Sequence, residues 1–92
     1  MHYEQLIVWQ KSMNLVELIY ATIQNFPSYE KFALSLQLQR SAISIPSNIA
    51  EGHGSKMTKV YLRYLSIAYG SLMELETQLK IAKRSVHDKK KN

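Results

Sequence analysis

The sequence predicts an all-α fold, an up-and-down bundle of three long helices. Three observations carry that prediction. Apolar residues recur at spacings of three and four through two long stretches. A third stretch, between them, is built from good helix formers. Punctuation at Phe26-Pro27 and at Gly52-His53-Gly54 separates three segments, the second of which contains Pro46.

The first helix is expected from about Glu4 to Asn25. Leu6, Trp9, Met13, Val16, Tyr20 and Ile23 mark one face, and Leu15, Leu18 and Ile19 widen it. It ends at Phe26 because Pro27 disfavours helical geometry at the residue before it.

Ser28 is placed to cap a second helix, with Glu30 in its first turn. The run Phe32-Ala33-Leu34-Ser35-Leu36-Gln37-Leu38-Gln39 alternates apolar and polar like a strand. None of these residues is β-branched, and Leu, Gln and Ala favour a helix, so composition overrides the period. Pro46 cannot donate to the Ala42 carbonyl and clashes with it. The helix therefore either kinks there or stops and restarts, with Ser44 and Ser47 near the freed backbone groups. Gly52 and Gly54 are expected to supply its stop.

The third helix is expected from Thr58 to about Val86. Tyr61, Leu65, Ala68, Leu72, Leu75, Leu79 and Ala82 form a heptad-like seam suited to near-antiparallel packing. Residues 1–86 thus make one helical-bundle domain. Residues 87–92 make a basic polar tail, expected to fray.

Ninety-two residues bury a modest core, roughly 60–65% of the unfolded surface, so self-association would add stability. With 46% hydrophobic and 21% charged residues the chain is a folded one. The absence of cysteine excludes disulfides and thiolate metal sites. Met1-His2-Tyr3-Glu4-Gln5 has no basic signal-peptide start, and no apolar run is long enough for a membrane span, so a cytoplasmic protein is expected. A net charge of +5 points to a polyanionic partner, although many small proteins are mildly basic.

At 100° per residue, Lys59, Arg63, Lys80 and Arg84 share the sector opposite the seam, with Lys56 at its margin. Ser66, Gly70, Met73 and Thr77 lie between them, and Glu74 interrupts one edge. A phosphate backbone could lie along this face, although such a face is more often simply a solvated one. Lys89, Lys90 and Lys91 extend the charge. Tyr20, Tyr61 and Tyr64 fall at core positions, whereas Tyr69 is placed for an exposed contact. Catalysis has little support. His2, His53 and His87 share no ligand spacing. Ser47, Asn48, Glu51 and His53 suit kink and cap chemistry better than a nucleophile. No phosphate loop surrounds Gly52-His53-Gly54. No catalytic residue, cofactor or metal is expected.

The run Gln37-Leu38-Gln39-Arg40-Ser41-Ala42-Ile43-Ser44-Ile45-Pro46-Ser47-Asn48-Ile49-Ala50-Glu51-Gly52 resembles the 23S ribosomal RNA intervening-sequence proteins, also known as four-helix bundle proteins. The segment from Leu65 to Leu79 resembles the family's second hallmark. Trp9, Ile19-Tyr20 and Phe26-Pro27 resemble its weaker first helix and turn. The resemblance covers residues 6 to 82 and implies a bacterial up-and-down bundle that assembles into homopentamers. A related branch, the accessory variability determinants of diversity-generating retroelements, binds nucleic acid and assists a reverse transcriptase. The chain departs from the pattern in three places. Gln39-Arg40 stands where two arginines are common. Val60 stands where the third helix commonly has an acidic residue in its first turn. Lys83-Arg84-Ser85-Val86-His87 stands where an apolar turn and a fourth helix usually follow.

The reading is a non-catalytic, basic homo-oligomer that binds RNA or DNA electrostatically through Arg40, Lys56, Lys59, Arg63, Lys80, Lys83 and Arg84. Two alternatives remain. One is an adaptor whose apolar faces dock a protein such as a reverse transcriptase. The other is a truncated relic without function.

Overall fold

The computed structural model describes residues 2–27 and 33–91, with side chains described through residue 85. A short 3-10 turn, Tyr3–Gln5, leads into α1 (Ile7–Gln24). Helix α2 spans Ala33–Gly54 and α3 spans Thr58–Lys91. The described residues contain three helices and no strand, so the strand-like alternation around Leu36 is indeed helical. The capping expected of Ser28 and Glu30 lies outside the described residues.

The three helices run up, down and up in a body of 53 × 19 × 18 Å. Helix α2 is the central element, packed against both others, while α1 and α3 scarcely approach one another. Contacts from α2 to α3 run in opposite sequence order. Gly52 meets Tyr64, Ser44 meets Ser71, and Ser41 meets Gln78, so the two helices are antiparallel. Leu38, Ile49 and Leu75 are fully buried, and Ile19, Ile23, Ala42, Ile45 and Ala68 complete one core. The seam of α3 is as expected: Ala68, Leu75 and Ala82 are buried, with Leu65, Leu72 and Leu79 packed beside them.

Helix α1 differs from expectation. Met13 and Tyr20 are exposed, and Ser12 and Ile19 are buried instead. The packed face is rotated by roughly 60° from the one that the large apolar residues mark. Packing mainly on α2, α1 needs only a narrow face. Ser12 tolerates burial because its hydroxyl donates to the Trp9 carbonyl at 2.7 Å on its own helix.

Helix α2 continues across Pro46, so the proline does not divide it. The proline ring is buried, and polar side chains beside it bond the local carbonyls. Ser47 Oγ donates to the Ile43 carbonyl at 2.8 Å, and Asn48 Nδ2 donates to the Ser44 carbonyl at 2.7 Å. Gly52 and Gly54 are both helical, and neither has positive φ. The left-handed residue after α2 is Lys56, at φ 61°. Gly52 serves close packing instead: a Cβ there would lie 2.5 Å from Tyr64 Cβ.

Beyond Ala82 the backbone of α3 runs on through Lys91 instead of fraying from His87. Lysines and arginine are good helix formers, and cations suit the negative end of the helix dipole. No helix among the described residues is long and apolar enough to cross a membrane.

Gly52→Ala is expected to destabilise the fold by about 1–3 kcal/mol, because the added methyl group meets the Tyr64 side chain near its backbone. Gly70→Ala, with nothing within 4 Å of the new Cβ, is expected to stabilise by about 0.5–1 kcal/mol. Urea unfolding of the two variants checks this opposite pair of signs.

Candidate nucleic-acid interface

The seam of α3 turns inward, so the residues about half a turn away turn outward. Lys59, Arg63, Lys80, Lys83 and Arg84 are all exposed, as are Arg40 on α2 and Lys56 in the connection. Among the described residues only Lys80 has an acidic partner, Glu76 Oε1 at 3.1 Å. The distance from Lys59 to Arg84 along the helix is about 37 Å. The cations do not fill it evenly. Lys56, Lys59 and Arg63 stand near the α2–α3 connection. Lys80, Lys83 and Arg84 stand toward the far end, with about 26 Å of helix between the groups. Arg40 joins the second group, because its neighbour Ser41 bonds Gln78.

Glu74, expected to interrupt the basic face, is committed elsewhere. Its Oε1 accepts from Gln78 Nε2 at 3.1 Å and lies 3.2 Å from Ser41 Oγ, whose one proton is shared between Glu74 Oε1 and Gln78 Oε1. Ser41 Oγ also lies 3.0 Å from Gln78 Oε1, and both residues are buried. One turn further along, the Ser44 and Ser71 hydroxyls are 2.8 Å apart, and Asn48 Nδ2 donates to Ser44 Oγ at 2.9 Å. Gly52 and Tyr64 close the series. The two most distinctive sequence runs therefore face each other across the α2–α3 interface, where their polar residues pair and their glycine permits contact.

A family model described as 23S rRNA-intervening sequence protein matches residues 4–91, nearly the whole chain. The chain belongs to that family. No curated protein gives a significant match. The match runs through the C-terminal part of α3, where this sequence departs from the turn and fourth helix usual in the family.

Of Ser47, Asn48, Glu51 and His53, three have structural partners. Ser47 and Asn48 bond backbone carbonyls of α2, and His53 packs edge-on to Tyr61 with ring centroids 5.6 Å apart. No group of three or more His, Asp or Glu residues able to hold a metal occurs among the described residues.

Spacing along the chain missed one arrangement. It kept the histidines apart, yet the fold brings His2 and His53 to the same cleft, of about 670 Å³, beside the α2–α3 connection. Tyr3, Lys56 and Tyr61 also line it. The contact of the N-terminal turn with the end of α2 has no periodic signature. The one local sign was a capping box: His2 Nδ1 accepts from the Glu4 amide at 3.4 Å, and Gln5 Oε1 accepts from the His2 amide at 3.0 Å. Among the tyrosines, Tyr69 is exposed as expected, and Tyr61 and Tyr64 are half-buried.

Ser41→Ala is expected to cost about 1–3 kcal/mol, since it leaves the buried Gln78 carbonyl oxygen without its donor. Ser66→Ala, on the exposed side of the same helix pair, is expected to stay within about 0.5 kcal/mol of the parent. Denaturant midpoints of the two variants provide the comparison.

Proposed function

We propose that this protein is a non-catalytic, homo-oligomeric helical bundle that binds RNA or DNA electrostatically with little sequence preference. The observation that carries the reading is the outward placement of Arg40, Lys56, Lys59, Arg63, Lys80, Lys83 and Arg84, while the carboxylate of Glu74 is engaged at a helix interface. Exposed cations contribute little to folding, so they remain available to an external anion. Two cationic groups about 26 Å apart suit a long phosphate backbone better than a small anion.

Self-association is part of the reading. Leu18 on α1 is 62% exposed, and Leu62 and Tyr69 on α3 are 59% and 63% exposed. Helical spacing puts Leu18 on the flank of α1 nearer α3, and Leu62 and Tyr69 beside the packed Leu65 and Leu72. The open side between α1 and α3 is thus apolar, and a second copy of the chain would cover it. Repetition of the cationic groups in an assembly would multiply binding by valency.

Salt dependence is the test. If Z phosphates of a duplex are neutralised, log affinity is expected to fall against log salt with a slope of about −0.9Z. Arg63→Gln with Lys80→Gln is expected to flatten the slope and weaken binding to all sequences alike, with folding nearly unchanged. Binding that is absent at low salt, or unchanged in the double variant, would remove the assignment. An adaptor docked through apolar faces would then stand first, since such contacts resist salt. Sedimentation at tens of micromolar is expected to find an oligomer that Tyr69→Lys with Leu18→Lys converts to a monomer.

A further inference from the structure

We propose that the cleft beside the α2–α3 connection holds one unpaired nucleotide, its base between the aromatic walls and its phosphate at Lys56. The proposal rests on the nucleic-acid-binding reading and adds to it a preference for single strands. Two pairs of rings, from opposite regions of the chain, line the cleft. The rings of His2 and Tyr3 lie 4.4 Å apart at 34°, and those of His53 and Tyr61 lie 5.6 Å apart at 83°. Its volume of about 670 Å³ falls within the roughly 300–1,000 Å³ of small-ligand pockets. A flat heteroaromatic ring matches walls of this kind, because stacking draws on the π-face that every base presents.

The charge is of one sign. Lys56 lines the cleft and is exposed, and no carboxylate is among the lining residues. Glu4 Oε1 lies 3.1 Å from the ring of His2, but Glu4 itself is not among the residues that line the cleft. A base with its phosphate satisfies both the rings and the ammonium, whereas inorganic phosphate satisfies only the second. Bases stacked within a duplex offer no free face to enter, so the nucleotide must be unpaired. The conformation of Lys56 fits this role. At φ 61° it occupies the place after a helix where glycine is usual, so the side chain is kept at a backbone cost.

Trp9 is the only tryptophan of the chain, and its ring stands edge-on to Tyr3 at 5.3 Å. Its emission therefore reports on the cleft wall. The probes are adenosine 5′-monophosphate, ribose 5-phosphate, and a short oligonucleotide given single-stranded or as a duplex. The monophosphate is expected to change the emission saturably, with ribose 5-phosphate weaker by about fivefold or more. Lys56→Gly removes the ammonium and suits the backbone, so it is expected to keep or raise stability while weakening the monophosphate about tenfold. The same variant is expected to weaken the single strand more than the duplex. A second variant, Tyr3→Leu, removes a ring from the exposed turn, and its monophosphate binding is read by amide chemical shifts. If the oligonucleotides bind but the monophosphate does not, or if Lys56→Gly and Tyr3→Leu both bind it as the parent does, the cleft proposal is overturned and the electrostatic reading stands. If the monophosphate binds and neither oligonucleotide does, the electrostatic reading falls and the single-strand proposal falls with it, leaving the cleft a site for a free mononucleotide. If nothing binds, both fall.

Discussion

The contact between α2 and α3 governs the rest of the molecule. At one end, Gly52 lets α2 approach the Tyr64 side chain closely enough that no β-carbon would fit between them. At the other, Ser41, Gln78 and Glu74 bond one another across the same pair of helices. Ser44 and Ser71 meet midway. A polar pair cannot slide along an interface without leaving a buried donor or acceptor unmade, which costs more than the bond contributes. Apolar residues alone would allow several registers, so the small and polar residues select one. With that register set, the seam of α3 faces inward, and Lys59, Arg63, Lys80 and Arg84 must face out.

The central position of α2 follows from its two kinds of face. Leu38, Ala42, Ile45 and Ile49 bury toward the common core, while Ser41 and Ser44 bond residues of α3 and Asn48 bonds Ser44 within α2. Pro46 sits within this helix and costs it a backbone bond. The Ser47 and Asn48 side chains bond the Ile43 and Ser44 carbonyls, not the Ala42 carbonyl that the proline leaves without a donor. The helix crosses the proline where its face is buried, at Ala42, Ile45, Pro46 and Ile49, so packing offsets the missing bond.

Much of this fold is legible in the sequence, and the exceptions have physical causes. The heptad-like seam of α3 could be read directly because nearly every apolar position on that face is packed. The face of α1 could not, because Met13 and Tyr20 look like core and are exposed, while Ser12 looks exposed and is buried. Periodicity weighs side chains by size, whereas the packed face depends on which neighbour the helix meets. Gly52 was read as a stop, since a glycine near a helix end usually is one. Its reason lies twelve residues away, at Tyr64, and no local pattern contains it. The division of the α3 cations into two groups follows from their numbers, whereas the group that Arg40 joins depends on the pairing of Ser41 with Gln78. The cleft shared by His2 and His53 depends on a tertiary contact with no repeat in the sequence.

The placement of charge at the start of α3 bears on the function. A helix N-terminus carries partial positive charge, so acidic residues stabilise it and cations destabilise it, each by about 0.3–1 kcal/mol. The first turn of α3 has no acidic residue, and Lys59 stands in it. Lys56 precedes it in a left-handed conformation that disfavours any residue with a β-carbon. Two local rules are thus broken within four residues, in a turn where an acid and a glycine would serve folding better. Departures of this kind are expected where residues answer to something outside the fold. The other end of α3 is different, since Lys83 and Arg84 stand about two turns before Lys91, beyond the reach of the terminal dipole, and break no local rule. Of the two cationic groups, the one at the connection is therefore the stronger argument for an anionic partner, and it is also the one that borders the cleft.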